Sequence, residues 1–270
     1  MPELPEVEEA ARRLRRALEG RAIVALQLLH PALRARIASR RLAALRGARI
    51  ARVERRGKHQ LIHLEDGREL RVHFRMNGDW ETGRAGEPVP RFARAILALD
   101  DGTRVALIDS RALATVELFG RGEAPPLALG PEADDPSLDV GALARALARR
   151  RGAIKPALLD QRLLAGVGNI YAAEALWRAR IDPFVPASAL DRRQLVALLR
   201  ALRAVIARAS GGRYRASDAA DARAARAPRL DVYDREGERC RRCGTPIARA
   251  VQAGRSTYYC PTCQARSAAR

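Results

Sequence analysis

In residues 5–19, PEVEEAARRLRRALE, the apolar positions Val7, Leu14 and Leu18 recur at helical spacing among charged ones. Proline suits a helix's first turn and glutamates suit its positive end, so the pattern predicts a helix here. From residue 22 to 119 the period becomes that of strands. IARVERR, HQLIHLE, ELRVHF, AILALD and RVALID are short apolar-rich segments, and the turn sequences EDG and DDG predict two hairpins. A helical stretch over 33–46 interrupts them. So many short antiparallel strands beside one helix predict a sandwich with the N-terminal helix packed against it.

The stretch 120–139, GRGEAPPLALGPEADDPSLD, is rich in Pro, Gly and acid and reads as a linker. Helical patterns follow in VGALARALARR, KPALLDQRLL, NIYAAEALWRAR and RRQLVALLRALRAVIARA. Residues 210–232 have few large apolar side chains and are expected to form a loop. A cysteine-bearing module closes the chain. The fold class expected is α+β multidomain, with a sandwich domain at 2–120, a linker at 121–136, a helical domain at 137–235 and a cysteine module at 236–270.

Charge narrows the partners. The 270 residues carry 50 Lys plus Arg against 31 Asp plus Glu, a formal net charge of +19. That surplus points to a polyanion, most commonly nucleic acid. No apolar run approaches the roughly 18–20 residues of a membrane span, and the acidic start lacks the n- and h-regions of a signal peptide. All four Cys fall at 240–263, which points to the reducing cytosol. Arginine has nearly displaced lysine: Lys58 and Lys155 alone remain, as do only Asn77 and Asn169 among asparagines. Such survivors point to specific chemical demands.

Cys240, Cys243, Cys260 and Cys263 form two CxxC knuckles able to place four thiolates around one Zn²⁺. With no ligand position left for water, that zinc is structural. A zinc-stapled hairpin would present Arg241, Arg242 and Arg255 to phosphates. In LLAGVGNIYAAEAL, Gly166 and Gly168 permit a tight turn between helices and Asn169 opens the second, whose amides can hold an anion. Lys155 and nearby Arg151 add positive charge, giving a helix–turn–helix variant that grips a DNA backbone. The N-terminus, MPELPEVEEA, supplies a different chemistry. Removal of Met1 would expose Pro2 as a secondary amine of pKa about 7.7–8.0, far below lysine's, so that much more of it is neutral and nucleophilic at physiological pH. Its attack on an aldehydic carbon gives an iminium ion, an electron sink for elimination, with Glu3 beside it as general acid or base.

PELPEVE, RRGKHQLIHL, HFRMNG, GVGNIYAAEAL and the paired CxxC, in this order, resemble the formamidopyrimidine-DNA glycosylases over essentially the whole chain. The resemblance implies a β-sandwich, a helix–two-turn–helix domain and a four-cysteine zinc finger. It also implies a bifunctional glycosylase and abasic-site lyase of base-excision repair, which excises 8-oxoguanine and formamidopyrimidines and cuts by β,δ-elimination. It gives Pro2 the Schiff-base role, Glu3 that of the acid opening the sugar, Lys58 β-elimination, and Arg255 phosphate binding and δ-elimination. Asn169 resembles a phosphate ligand, Glu6 a supporting acid, and Met76 a side chain filling the hole left by a flipped base. Double-stranded DNA with a damaged base or abasic site is the implied partner, for a monomeric, cytoplasmic, nucleoid-associated enzyme.

The chain departs from the family where it would read DNA. A common Asp-x-Arg-Arg-Phe-Gly is DSRALA here, so Arg111 survives while Ala112 and Leu113 replace an arginine and a phenylalanine wedge. Phe92 stands where a histidine is expected, and the lesion loop reads RYRASDAADARAARA. An endonuclease VIII-like preference for oxidised pyrimidines or another lesion is one alternative. A non-catalytic zinc-stapled DNA-binding protein is another, against which Pro2, Glu3 and Lys58 all argue.

Overall fold

The computed structural model describes residues 2–210 and 229–265. Most of the expected 210–232 loop therefore lies outside the described residues. The described chain forms two compact units, dividing between Leu127 and Ala128.

The first unit opens with α1 (Leu4–Leu18), where Pro5 occupies the first turn and Val7, Ala10, Ala11, Leu14 and Leu18 are buried. Strand β1 (Ile23–Leu28) follows, then two short helices, α2 (Pro31–Arg34) and α3 (Ser39–Ala43). The single helix expected over 33–46 is thus broken at 35–38. Arg36 and Arg40, one turn apart and of like charge, weaken a continuous helix there. Strands β2 (Ile50–Arg56), β3 (His59–Leu64), β4 (Glu69–His73), β5 (Asp79–Arg84), β6 (Ala93–Leu99), β7 (Thr103–Ile108) and β8 (Thr115–Phe119) complete the unit.

These strands form two antiparallel sheets, ordered β1-β6-β7-β5 and β2-β3-β4-β8. The turns EDG and DDG close the β3–β4 and β6–β7 hairpins. Val53, Ile62, Leu70 and Val116 of one sheet share a core with Ile23, Leu97, Val105 and Leu107 of the other. Val7, Leu14 and Leu18 of α1 enter the same core, so the helix packs on the sandwich as expected. Each such side chain contributes about 1.5–3 kcal/mol of burial.

The second unit holds α4 (Val140–Leu147), α5 (Ile154–Leu159), α6 (Asn169–Ala179) and α7 (Arg192–Ser210), then the hairpin β9 (Ala248–Gln252) and β10 (Arg255–Tyr259). Helix α6 is buried on every side from Ile170 to Trp177, which marks it as the interior helix of the unit. Helix α7 packs on α6 and α4 through Leu195, Leu198, Leu202 and Val205. The second half of the Pro-rich 120–139 stretch is docked rather than free. Gly130 donates to Gln161 O at 2.8 Å, Ala165 donates to Pro131 O at 2.9 Å, and Ala133 is fully buried. A side chain at Gly130 would meet the carbonyls of Arg162 and Leu163 at about 2.5 Å, so only glycine permits this approach.

Candidate active site and nucleic-acid interface

In the first unit, Pro2 is buried and Glu3, fully buried, is the N-cap of α1. The Glu3 amide donates to Glu6 Oε2 at 2.8 Å, while the Glu3 carboxylate accepts from the amide of the third helical residue. This reciprocal box fixes the two residues where the chain enters the helix. Glu6 thereby has a structural task.

Lys58 follows Gly57 in the tight β2–β3 turn, where Gly57 has φ of 57°. Arg55 joins this turn to α1: it donates to Gly57 O at 3.2 Å and to Glu8 Oε2 at 2.8 Å. Arg15 reaches the other oxygen of Glu8 at 3.0 Å. Burial opposes the Glu8 charge, yet the hydrogen bonds and charges of Arg15 and Arg55 outweigh it and hold Glu8 below the usual carboxylate range. The register between α1 and the Lys58 turn is set by this arrangement.

Met76 sits in the turn after β4, half-buried. The turn closes tightly because Gly78 lies against Phe74, where an added Cβ would come within 2.7 Å of the ring. Arg13 of α1 donates to Trp80 O at 3.1 Å and pairs with Asp79, tying the helix to the exit of this turn. Asn77 Nδ2 donates to Ser110 Oγ at 3.2 Å and so joins the Met76 turn to the loop bearing Arg111 and Leu113.

That loop is organised by Asp109, which is fully buried. Its carboxylate accepts from the amides of Arg111 at 3.0 Å, Leu113 at 2.6 Å and Ala114 at 2.7 Å. Ala112 is held left-handed at φ of 54°, and Arg111 and Leu113 point outward, Leu113 with 43% of its surface exposed. Arg94 donates to the carbonyls of Asp109 and Ser110 at 2.6 and 3.2 Å. Phe92 lies beneath the guanidiniums of Arg91 and Arg94, and its carbonyl accepts from the Asp109 amide.

Beside Lys58, His59 pairs across the strands with His73, their rings edge-to-face at 4.7 Å. Burial, with the charges of Arg71 and Arg75, lowers His59 to about 4. Burial, His59 and the cations Arg75 and Lys58 lower His73 to about 3. Both are neutral at pH 7, so the first unit keeps uncharged imidazoles among its cations.

In the second unit the turn between α5 and α6 is stapled by Gln161. Its side chain donates to Leu159 O and Val167 O and accepts from the Gly166 amide at 3.0 Å. Gly168 caps α6 and Asn169 is its first residue. Lys155 departs from the expectation of a cation offered to DNA. It is 1% exposed, and its ammonium donates to Asn169 Oδ1 at 2.5 Å, Thr257 Oγ1 at 2.9 Å and Ser256 O at 3.0 Å. Asn169 Nδ2 also donates to Ser256 O, at 2.9 Å. Ser256 follows Arg255, which is exposed at the start of β10 beyond the Ala253–Gly254 turn. Lys155 therefore ties the Asn169 end of α6 to the hairpin that presents Arg255. Arg151 is exposed outside this network.

Glu174, in mid-α6 and 1% exposed, accepts from the amides of Asp231, Val232 and Tyr233 at 2.8–3.0 Å, with Arg208 at 3.6 Å. Burial raises its pKa against the opposing pull of those amides.

The four cysteine sulfurs lie within 4.8 Å of one another, with Cys243–Cys260 at 3.4 Å and Cys240–Cys263 at 3.9 Å. A tetrahedron of Zn–S bonds of about 2.3 Å has edges of about 3.8 Å, so the donor set fits one Zn²⁺ closed to water. Hydrogen bonds from the Thr245 side chain and amide lower Cys243 to about 6, favouring the thiolate that zinc requires.

Sequence reasoning missed Asp109, His59, His73 and Glu174 as organising residues. Only the presence of an acid at the head of DSRALA hinted at Asp109, because its partners are backbone amides. His73 and His59 lie fourteen residues apart and meet only through the β3–β4 register.

Comparison with known proteins gives one answer along the whole chain. Residues 1–116 match the formamidopyrimidine-DNA glycosylase N-terminal domain, 129–216 its H2TH domain, and 237–266 a zinc finger found in these enzymes and in isoleucyl-tRNA synthetases. The formamidopyrimidine-DNA glycosylase of Herpetosiphon aurantiacus is 41% identical, covering 98% of this chain and 100% of its own. That of Chloroflexus aurantiacus is 40% identical, covering 98% of both. Among solved structures, MutM (Fpg) of Thermus thermophilus is 39% identical with a TM-score of 0.81, and covers 98% of this chain and 100% of its own. MutM bound to DNA containing carbocyclic 8-oxo-G has a TM-score of 0.87 at 29% identity, with the same coverage. The helix-capped sandwich, the two-turn helical unit and the four-cysteine hairpin thus occur together and in order, and this chain belongs to the formamidopyrimidine-DNA glycosylase family.

Proposed function

We infer that the chain is a base-excision repair enzyme: a DNA glycosylase for oxidised purines that also cleaves the strand at the abasic site it creates. The observation that carries this reading is the Pro2–Glu3 pair, fixed at the N-cap of α1 in a chain that matches the family from end to end. The Pro2 nitrogen attacks C1′ of the damaged nucleotide and loses its N–H proton, and the base departs with the electrons of the glycosidic bond and takes up a proton. Glu3 gives a proton to the ring oxygen, the sugar opens, and the iminium draws electrons from C2′ as its proton leaves. The bond from C3′ to its phosphate then breaks, and a second elimination releases the 5′ phosphate. Lys58 serves the first elimination and Arg255 the phosphate of the second. Uncharged His59 and His73 leave Lys58 as the cation of its turn.

Asn169 and Arg255 hold the backbone in this reading, and Lys155 ties Asn169 to the strand that begins at Arg255. Met76 fills the gap left by the extruded base. Arg111 faces the orphaned partner, where cytosine offers acceptors at O2 and N3, and Leu113 wedges the stack without the stacking of a phenyl ring, worth about 1–3 kcal/mol. Cys240, Cys243, Cys260 and Cys263 hold a zinc whose contribution is the folding energy of the hairpin. Among the described residues no helix is long and apolar enough to cross a membrane. We place the enzyme in the cytosol, at the nucleoid, acting as a monomer on double-stranded DNA.

The test is single-turnover excision from duplexes carrying 8-oxoguanine, a formamidopyrimidine or an oxidised pyrimidine, with 8-oxoguanine placed opposite each of the four bases. Purine lesions should be released faster than pyrimidine ones, with 8-oxoguanine fastest opposite cytosine. Faster release of oxidised pyrimidines would overturn the purine assignment, and equal rates opposite all four bases would remove Arg111 from the reading role.

A further inference from the structure

Trp177, near the end of α6, is 7% exposed, and its indole nitrogen has no hydrogen-bond partner among the described residues. A buried N–H left unmade costs about 1–3 kcal/mol, so its surroundings should supply an acceptor. The ring packs with Cys240, Cys260 and Ile247. Of these three, the sulfurs of Cys240 and Cys260 are the side-chain atoms able to accept from its N–H. Arg242, inside the first CxxC, lies 4.1 Å above the indole ring and donates to Trp177 O at 3.1 Å. The indole is therefore held on its face by one residue of the knuckle, Arg242, and packed in one cluster with another, Cys240. A thiol is a weak acceptor, whereas a metal-bound thiolate carries charge and accepts strongly.

We propose that Trp177 is an outer-sphere residue of the zinc centre, its indole N–H donating to the zinc-bound Cys240 thiolate while Arg242 fixes the ring. The bond spreads the charge of the sulfur and makes it less basic toward protons, so the metal is retained more firmly. It also places the zinc centre against the C-terminal end of α6, whose first residue, Asn169, is already tied through Lys155 to β10. The metal thus helps fix the helix that carries Asn169, not the hairpin alone.

Trp177→Phe removes the donor N–H with its ring and keeps a phenyl face for Arg242, so the metal-band readout, beside the affinity, separates the hydrogen bond from lost packing. On the full-length protein, chelator competition should show zinc held about ten-fold or more weakly in Trp177→Phe, as for other outer-shell partners. In the cobalt-loaded proteins the thiolate-to-metal charge-transfer band should move to lower energy in the variant, since an unassisted thiolate is the stronger donor. Zinc affinity within about two-fold of wild type, with the band unmoved, would overturn the proposal. A measurement on the unaltered chain covers a variant that folds poorly. The Trp177 indole ¹H–¹⁵N signal should shift when cadmium replaces zinc while that of Trp80 stays in place, and an unmoved Trp177 signal would likewise overturn it.

Discussion

Replacing Asp109 with alanine removes the acceptor that shapes the loop from Ser110 to Ala114. Three backbone amides lose a carboxylate, and bonds to a charged partner contribute about 1.5–3 kcal/mol each. Water recovers most of this for Arg111 and Leu113, which are exposed, but not for buried Ala114, whose orphaned amide costs about 1–3 kcal/mol. Release of the left-handed Ala112 returns about 1–2 kcal/mol. Together these give a net loss of about 1–2 kcal/mol, read as a shift in the urea midpoint. The functional loss should be selective. In the proposed reading Leu113 wedges the stack of an intact duplex and Arg111 faces the orphaned base, whereas an abasic site has no base to unstack. Asp109→Ala should therefore slow single-turnover release of 8-oxoguanine far more than cleavage of a ready-made abasic site. A destabilisation below about 0.5 kcal/mol, or equal slowing of both reactions, would refute the reasoning.

Lys155→Met should destabilise the second unit by about 2–4 kcal/mol, since three acceptors lose a charged donor while the cost of burying the ammonium is recovered. It should weaken binding of abasic-site DNA through Asn169 yet leave the slope of log affinity against log salt unchanged. A slope reduced by about 0.9 would show instead that Lys155 neutralises a phosphate itself. The histidine pair gives a pH signature. His59 and His73 titrate at about 4 and about 3 in the folded chain, against about 6.5 unfolded. The unfolded chain therefore binds protons first as pH falls, and stability present above pH 6.5 is lost progressively toward pH 4. The double variant His59→Gln/His73→Gln should lose much of the fall in Tm between pH 7 and pH 5, and an undiminished fall would exclude the pair as its source.

The parts of this molecule legible in the sequence are those with a local signature. Helical spacing located α1 to within a residue at each end, strand runs and DG turns located the hairpins, and two CxxC knuckles located the four sulfurs. Pro2, Glu3 and Asn169 were legible because each stands at a helix entrance, where side-chain type and backbone role coincide. What stayed hidden depends on partners remote in sequence. Lys155 read as a surface cation because nothing local shows that Ser256 and Thr257, a hundred residues on, receive its ammonium. The 120–139 stretch read as a free linker because its composition is that of one. Its docking rests on backbone hydrogen bonds from Gly130 to Gln161 and from Ala165 to Pro131, which composition does not encode. Trp177 lay within the helical segment NIYAAEALWRAR with nothing local to show that it packs against the cysteine module.

The central claim is that the chemistry begins at the nitrogen of Pro2. Borohydride trapping on abasic-site DNA tests it most directly, because only an iminium is reduced to a stable covalent adduct. Protein processed to begin at Pro2 should become cross-linked, and peptide mapping should place the adduct on that residue. Protein that retains Met1, whose Pro2 nitrogen is an amide and cannot attack, should trap little or none. Equal trapping by the Met1-blocked form, with the adduct on Lys58, would contradict the account and move the nucleophile to the β2–β3 turn.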